Sequence, residues 1–146
     1  MIQLFLKLPM SRLDKDVELP KYAKEHDAAF DLRSREEVVI EPGTKHTVKT
    51  GIKLAIPSGH VGLIWDRSGM AHNHHIHTLA GVIDAGFRGE VGVVMHNLGS
   101  SSFTIEKGMR IAQMIVQPYV TCDIHEVDEL KESTRGDGGF GSTGLK

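Results

Sequence analysis

Apolar residues fall in short runs along this chain. Glycine, proline or polar clusters end each run, the pattern of brief strands joined by turns. Ile2 to Lys7 alternates apolar and polar side chains. Val38 to Ile40 leads into Glu41-Pro42-Gly43, and Thr47 to Ile56 runs extended as far as Pro57-Ser58-Gly59. Val61 to Trp65, Val91 to Met95 and Ile111 to Gln117 are further β-rich runs. Gly59, Gly81, Gly89, Gly99 and Gly108 stand at turn-like sites, and Pro42-Gly43 and Glu106-Lys107-Gly108 are expected to be hairpin connections. Helix has little room: Ser68 to Asn73 suits one or two turns, with Ser68 as the cap. The spacing predicts an all-β barrel or jelly-roll-like domain with one short helix, rather than alternating β and α units.

A chain of 146 residues fits one domain with a modest core. A formal charge of -2 supplies no basic field for a nucleic-acid backbone, so direct nucleic-acid binding is not expected. A small phosphorylated ligand needs only a few local donors and stays open. Cys122 is the single cysteine, which excludes an intramolecular disulfide framework and a cysteine metal cluster. The apolar run at the N-terminus is shorter than a signal peptide requires, and no run is long enough to span a membrane. A soluble intracellular protein, cytoplasmic by default, is expected.

The terminal residues Arg135 to Lys146 change the picture. Glycines surround one arginine, one phenylalanine and two hydroxyls, so the segment has much backbone entropy to lose and little surface to bury. A frayed tail is one reading. The other is an arm that orders on a ligand, with N–H groups cradling phosphates, Arg135 as the fork and Phe140 as a lid over a flat ring. The charged stretch Asp123 to Arg135 gives that arm reach. The expected division is a β domain over 1–134 and a flexible arm over 135–146.

Other candidates are weaker alone. Arg67-Ser68-Gly69 follows an apolar strand, and a strand-to-helix turn offers N–H groups, a hydroxyl and a guanidinium to phosphate; it also reads as an ordinary turn. Asp84 closes Gly81-Val82-Ile83 ahead of an apparent hairpin tip, Ala85 to Gly89. Its carboxylate can orient and deprotonate water while Phe87 packs on a sugar or base, or the pair can serve as turn cap and core aromatic. Asp31 is read as a turn acceptor ahead of an ionic role. Gln113 can face solvent or donate to a phosphate oxygen. His72, His74, His75 and His77 lack the spacing of a zinc site and point to a surface turn.

Five of these blocks, in order, resemble the trimeric dUTPases. They are Ala29-Phe-Asp-Leu-Arg-Ser34, Arg67-Ser-Gly-Met-Ala71, Gly81 to Val91, Gly108-Met-Arg-Ile-Ala-Gln113 and Arg135 to Gly144. The resemblance covers nearly the whole chain. It implies an all-β subunit, a distorted jelly-roll or β-clip barrel, a homotrimer with active sites at subunit interfaces, and a flexible C-terminal arm that closes over a site. It further implies magnesium-assisted hydrolysis of dUTP to dUMP and pyrophosphate by water attack at the α-phosphorus. By the same resemblance Asp84 activates the water, Phe87 packs against deoxyribose, and the main chain from Gly81 and Val82 through Ile83 to Gly92 reads uracil. Arg67, Ser68, Gly69, Gln113 and Arg135 match phosphate contacts, with Gly141 and Ser142 as further donors and Phe140 as the cover over uracil. Mg2+ is expected on the triphosphate with no direct protein ligand, Asp31 supporting it through water.

Four departures from the family pattern stand out. Phe87 replaces the usual tyrosine, Gly86 a common acid and Asn73 an often basic residue. Asp66 stands where proline is common, and is expected to loosen the turn before Arg67. The related dCTP deaminases share a similar hairpin, but their catalytic glutamate is missing where this chain reads Val93-Val94-Met95. A dUTP-binding regulatory protein and a broader nucleotide pyrophosphatase are the alternatives.

Overall fold

The computed structural model describes residues 5–144. Within them the order is β1 (Met10–Arg12), β2 (Phe30–Arg33), β3 (Val38–Ile40), β4 (Lys45–Leu54), β5 (His60–Asp66) and α1 (Ser68–His74). Then follow β6 (Ile76–Leu79), β7 (Val82–Ile83), β8 (Glu90–Asn97), β9 (Phe103–Ile105) and β10 (Arg110–Pro118). One four-stranded sheet has the order β1-β4-β8-β6, a second has β2-β10-β5-β7, and β3 pairs with β9. Every pairing is antiparallel.

Alternation within each strand builds the core between the sheets. Along β8, Val91, Val93, Met95 and Asn97 are buried and the residues between them are not. Val91, Val93 and Met95 share one apolar cluster with Phe30 and Leu32 of β2, Ile64 of β5, and Ile111 and Met114 of β10. Each such side chain contributes about 1.5–3 kcal/mol on burial. Asn97 is tolerated there because its amide donates to the carbonyls of Ile40 (2.9 Å) and Ser101 (2.8 Å) and accepts from Gly99 N–H (2.9 Å). The β10 ladder shifts register between Arg110 and Ala112. That bulge buries Ile111 and Ala112 in succession and leaves Gln113 on the outer face.

Several sequence expectations change here. The N-terminal strand is Met10–Arg12; residues 2–4 of the expected run lie outside the described residues, and Phe5 to Lys7 are not strand. The expected hairpins are turns of another kind. Pro42-Gly43 joins β3 to β4, Glu106 to Gly108 joins β9 to β10, and Ala85 to Gly89 joins β7 to β8, yet each pair of flanking strands lies in different sheets. Ser68, expected as the cap, is instead the first residue of the helix. Arg67, in extended conformation, is the N-cap, and no side chain caps the helix. Strands β2, β6 and β9 escaped the sequence reading because they are short and broken by polar residues, and long-range pairing makes them strands.

Candidate active site

An open cleft of about 800 Å³ lies where β5 hands the chain to α1. The sheet register explains its composition. Gln113 of β10 stands opposite both Asp31 of β2 and Trp65 of β5, so residues far apart in sequence form one cross-strand row on the outer face. Arg67, Ser68 and Gly69 continue from β5 into the cleft wall, and the loop carrying Lys24 and Asp27 also lines it. The first intrahelical donors are Met70 and Ala71, both to Arg67 O at 3.0 Å. The N–H groups of Ser68 and Gly69 therefore precede the helical hydrogen-bond ladder.

Ionic contacts fix the guanidinium side of this cleft. Arg67 Nε donates to Asp31 Oδ1 at 3.0 Å, and Arg110 Nη1 stands 3.6 Å from Asp31 Oδ2. Arg67 Nη1 also donates to Arg110 O at 3.4 Å. Asp31 is thus the anchor of an ionic cluster, which corrects its reading as a turn acceptor. Gln113 Nε2 donates to Asp66 O at 2.7 Å, so this amide is held in the cleft rather than left to solvent.

Asp66 also overturns its expectation. Its Oδ1 accepts from Thr78 N–H and Thr78 Oγ1–H, both at 2.6 Å, and its Oδ2 lies 2.7 Å from His77 Nδ1. Burial alone would raise the carboxyl pKa, but the bonds from Thr78 and His77 prevail and hold it below the usual value. The turn before Arg67 is tied, not loosened. A Trp65-Asp66 pair directly ahead of Arg-Ser-Gly was the available sequence signal. Thr78, Lys24 and Asp27 carried none.

A second, smaller cleft of about 360 Å³ shares Trp65 and Asp66 with the first and runs on past Thr78 to Gly81 and Val82. Gly81 has φ 105°, and a Cβ there would stand 2.9 Å from Ile64 O. Only glycine lets this segment approach β5 closely enough for Ile64 N–H to donate to Gly81 O at 2.9 Å. Ile83 follows on β7, opposite Gly62.

The remaining predicted residues lie elsewhere. Asp84 and Phe87 close a turn, Phe87 N–H to Asp84 O at 3.1 Å, and neither lines either cleft. Asp84 is exposed, and Phe87 is 39% exposed rather than a core residue. A Cβ on Gly89 would meet Phe87 Cζ at 2.7 Å, so the ring rests over a glycine. Gly92 stands on β8 opposite Lys49, in the other sheet. In the arm, Arg135 Nε donates to Gly138 O at 2.9 Å, turns close at Ser142 and Gly144, and Phe140 is fully exposed. Gly141 belongs to these turns; Leu145 and Lys146 lie outside the described residues. Of the clustered histidines, His77 serves Asp66, and the ring of His74 tilts against Phe103 at 5.0 Å. Among the described residues no group of three or more His, Cys, Asp or Glu side chains is placed to hold a metal.

Known proteins match this chain over most of its length. The dUTPase family model matches residues 15–144. A deoxyuridine 5'-triphosphate nucleotidohydrolase of Clostridium kluyveri is 48% identical over 141 residues, covering 95% of this chain and 99% of that protein. The dUTPase of Staphylococcus bacteriophage 80alpha, solved with dUpNHpp and described as controlling transfer of virulence genes by a proto-oncogenic G protein-like mechanism, has a TM-score of 0.86 at 32% identity, covering 95% of this chain and 99% of that one. A variant dUTPase of Staphylococcus aureus phage phi11, whose structure details the coordination of a structural Mg(II) ion, has a TM-score of 0.79 at 27% identity, covering 85% and 98%. Sequence and fold together make this chain an enzyme of the dUTPase family.

Proposed function

We propose that the protein hydrolyses dUTP to dUMP and pyrophosphate, in a homotrimer whose active sites form between subunits. The observation that carries this reading is the division of the site residues within one chain. Asp31, Arg67, Ser68, Gly69 and Gln113 line one cleft, whereas Asp84 and Phe87 project from a turn outside it. A second subunit bringing its Asp84 turn to the cleft would complete the set. The outer face of β5, β7 and β10 supports such packing, because Val82 is 65% and Trp65 56% exposed beside Leu63 and Ile115.

In this mechanism the Arg67 guanidinium, the Ser68 and Gly69 N–H groups and Gln113 hold the phosphate chain. Asp84 orients a water for in-line attack at the α-phosphorus and takes its proton. The Phe87 ring packs against deoxyribose and leaves no room for a ribose 2′-hydroxyl, while the main chain at Gly81, Val82, Ile83 and Gly92 reads the base. Arg135, Gly141 and Ser142 add phosphate contacts, and Phe140 covers the uracil as the arm of residues 135–146 closes and excludes water. Magnesium supplies charge neutralisation on the triphosphate oxygens. The chain's donor set suits an ion carried by substrate, because the acids of the cleft wall already have partners: two guanidiniums hold Asp31, Thr78 and His77 hold Asp66, and Lys24 N–H donates to Asp27. The cellular role is to limit uracil in DNA and to supply dUMP for dTMP synthesis. No helix among the described residues is long and apolar enough to cross a membrane.

Product analysis with dUTP, dCTP, dTTP and UTP, with and without Mg2+, tests the reaction. Selective dUMP and pyrophosphate formation is expected; equal turnover of all four would mean a general pyrophosphatase. Sedimentation of an active monomer would sink the shared site. A regulatory dUTP-binding role is a second reading, favoured by the description of the 80alpha relative. Tight dUTP binding without turnover would select it.

A further inference from the structure

Asp66 closes a loop. The chain leaves β5 at this residue, forms the Arg67-Ser68-Gly69 turn and α1, and returns in β6. Thr78, twelve residues on, donates both its N–H and its hydroxyl to the same carboxylate oxygen at 2.6 Å. His77 takes the other oxygen at 2.7 Å. β5 and β6 belong to different sheets, so no ladder hydrogen bond holds these two ends together. The main-chain carbonyl of the same residue accepts Gln113 Nε2 at 2.7 Å. One residue therefore fixes the base of the loop on one side and the Gln113 amide on the other.

We propose that Asp66 is a positioning residue for the triphosphate: its carboxylate clasps the two ends of the 66–78 loop and so holds the Arg67-Ser68-Gly69 turn in register with Gln113. This rests on the proposed dUTP hydrolysis. Where the family commonly has proline, a ring restrains one backbone angle; here a carboxylate restrains the whole loop by joining its ends. Asp66 makes this contribution without touching the nucleotide. It acts through Arg67 and Gln113, so its effect belongs to the part of the ligand they hold.

Calorimetric titration of the full-length protein with a non-hydrolysable imido analogue of dUTP and with dUMP tests this. Asp66→Ala should weaken the triphosphate analogue about tenfold and dUMP less than about twofold, the size expected when hydrogen bonds to a charged group are misaligned. Asp66→Asn, whose amide oxygen still accepts from Thr78, should restore most of that affinity. In an Arg67→Ala background, adding Asp66→Ala should cost less than it does in the wild type, because part of its effect runs through Arg67. Equal losses for the two ligands, or losses that add in the double variant, would overturn the positioning role. If Asp66→Ala does not fold, His77→Ala removes one of the three donors from an exposed ring and should show the same selectivity at about threefold. Wild-type affinity for the analogue in that variant would then overturn the proposal. A wild-type protein that binds the analogue and turns over dUTP while Asp66→Ala matches it defeats the clasp alone. A wild type that neither binds nor turns over defeats the nucleotide reading and the clasp with it.

Discussion

The cleft at the β5–α1 junction and the turn at Asp84 to Phe87 are built in opposite ways. In the cleft the strand-borne polar side chains and Arg67 are held: Arg67 by Asp31, Gln113 by Asp66 O, Asp66 by Thr78 and His77. In the turn the hydrogen bonds are local, from Phe87 N–H to Asp84 O and from Arg88 to the carbonyls of Ala85 and Phe87, and the Asp84 carboxylate stands exposed. Groups that bind a fixed array of phosphates gain from being set beforehand. A group that acts on water against a neighbouring subunit's ligand can take its final geometry from assembly. In the proposed mechanism this difference suits binding in one region and chemistry in the other.

Asp84→Asn strikes the chemical side alone and should give the largest effect, a fall in kcat of about 10²–10⁴-fold with affinity for the imido analogue preserved. Near-normal turnover would remove Asp84 from the mechanism. Truncation before Arg135 leaves both regions in place and removes the closing arm; kcat/KM should drop on the order of 10²-fold while sedimentation stays unchanged. Arg67→Ala strikes the binding side, and KM should rise about 10–100-fold with a smaller change in kcat. A kcat loss as deep as that of Asp84→Asn would erase the distinction. Phe87→Ala should reduce the preference for dUTP over UTP by about tenfold, because the ring's area rather than a hydroxyl makes the gate. Phe87→Tyr should leave that preference within about twofold.

The smallest effect concerns pH and sharpens the contrast further. Burial would raise the carboxyls of Asp66 and Glu36. Hydrogen bonds outweigh it, from Thr78 and His77 in one case and from Lys49 N–H and His46 in the other, and both pKa values lie below the usual ones. A folded pKa below the unfolded one stabilises the fold at pH values above the unfolded pKa, near 4. That stability is lost as pH falls through the lowered folded values. Melting temperature should therefore stay flat for these groups from pH 8 to about 5 and fall below about 4. Asp66→Asn should show a shallower acid-side fall; an unchanged slope would mean that the carboxylate bonds contribute nothing.

The sequence exposed the strands with strong β character, Val38–Ile40 and the centres of β4, β5, β8 and β10, because Val and Ile runs between turn residues need no tertiary information. It also exposed all five family blocks. It did not show that the turns at Pro42-Gly43, Glu106–Gly108 and Ala85–Gly89 switch sheets, since a turn's residues fix its local geometry but not the partner of the strand that follows. Asp66 was misread for the same reason. A charged residue in place of proline looks like a loss of rigidity until Thr78 and His77 are seen folded back onto it. Gln113 was legible as a polar group in a strand; Asp31 was not, because β2 itself escaped the reading. Their convergence came from the β10 bulge and the register it sets.

Trp65 is the chain's single tryptophan, and it stands at the seam of the two clefts on the apolar outer face of β5. The protein thus carries its own optical gauge. Subunit packing that dries this face should shift indole emission to shorter wavelength, and nucleotide entering the cleft should then quench it without any added label. Dilution would read out the first event and titration the second. Emission indifferent to protein concentration would mean that the indole stays wet and that the subunits meet elsewhere.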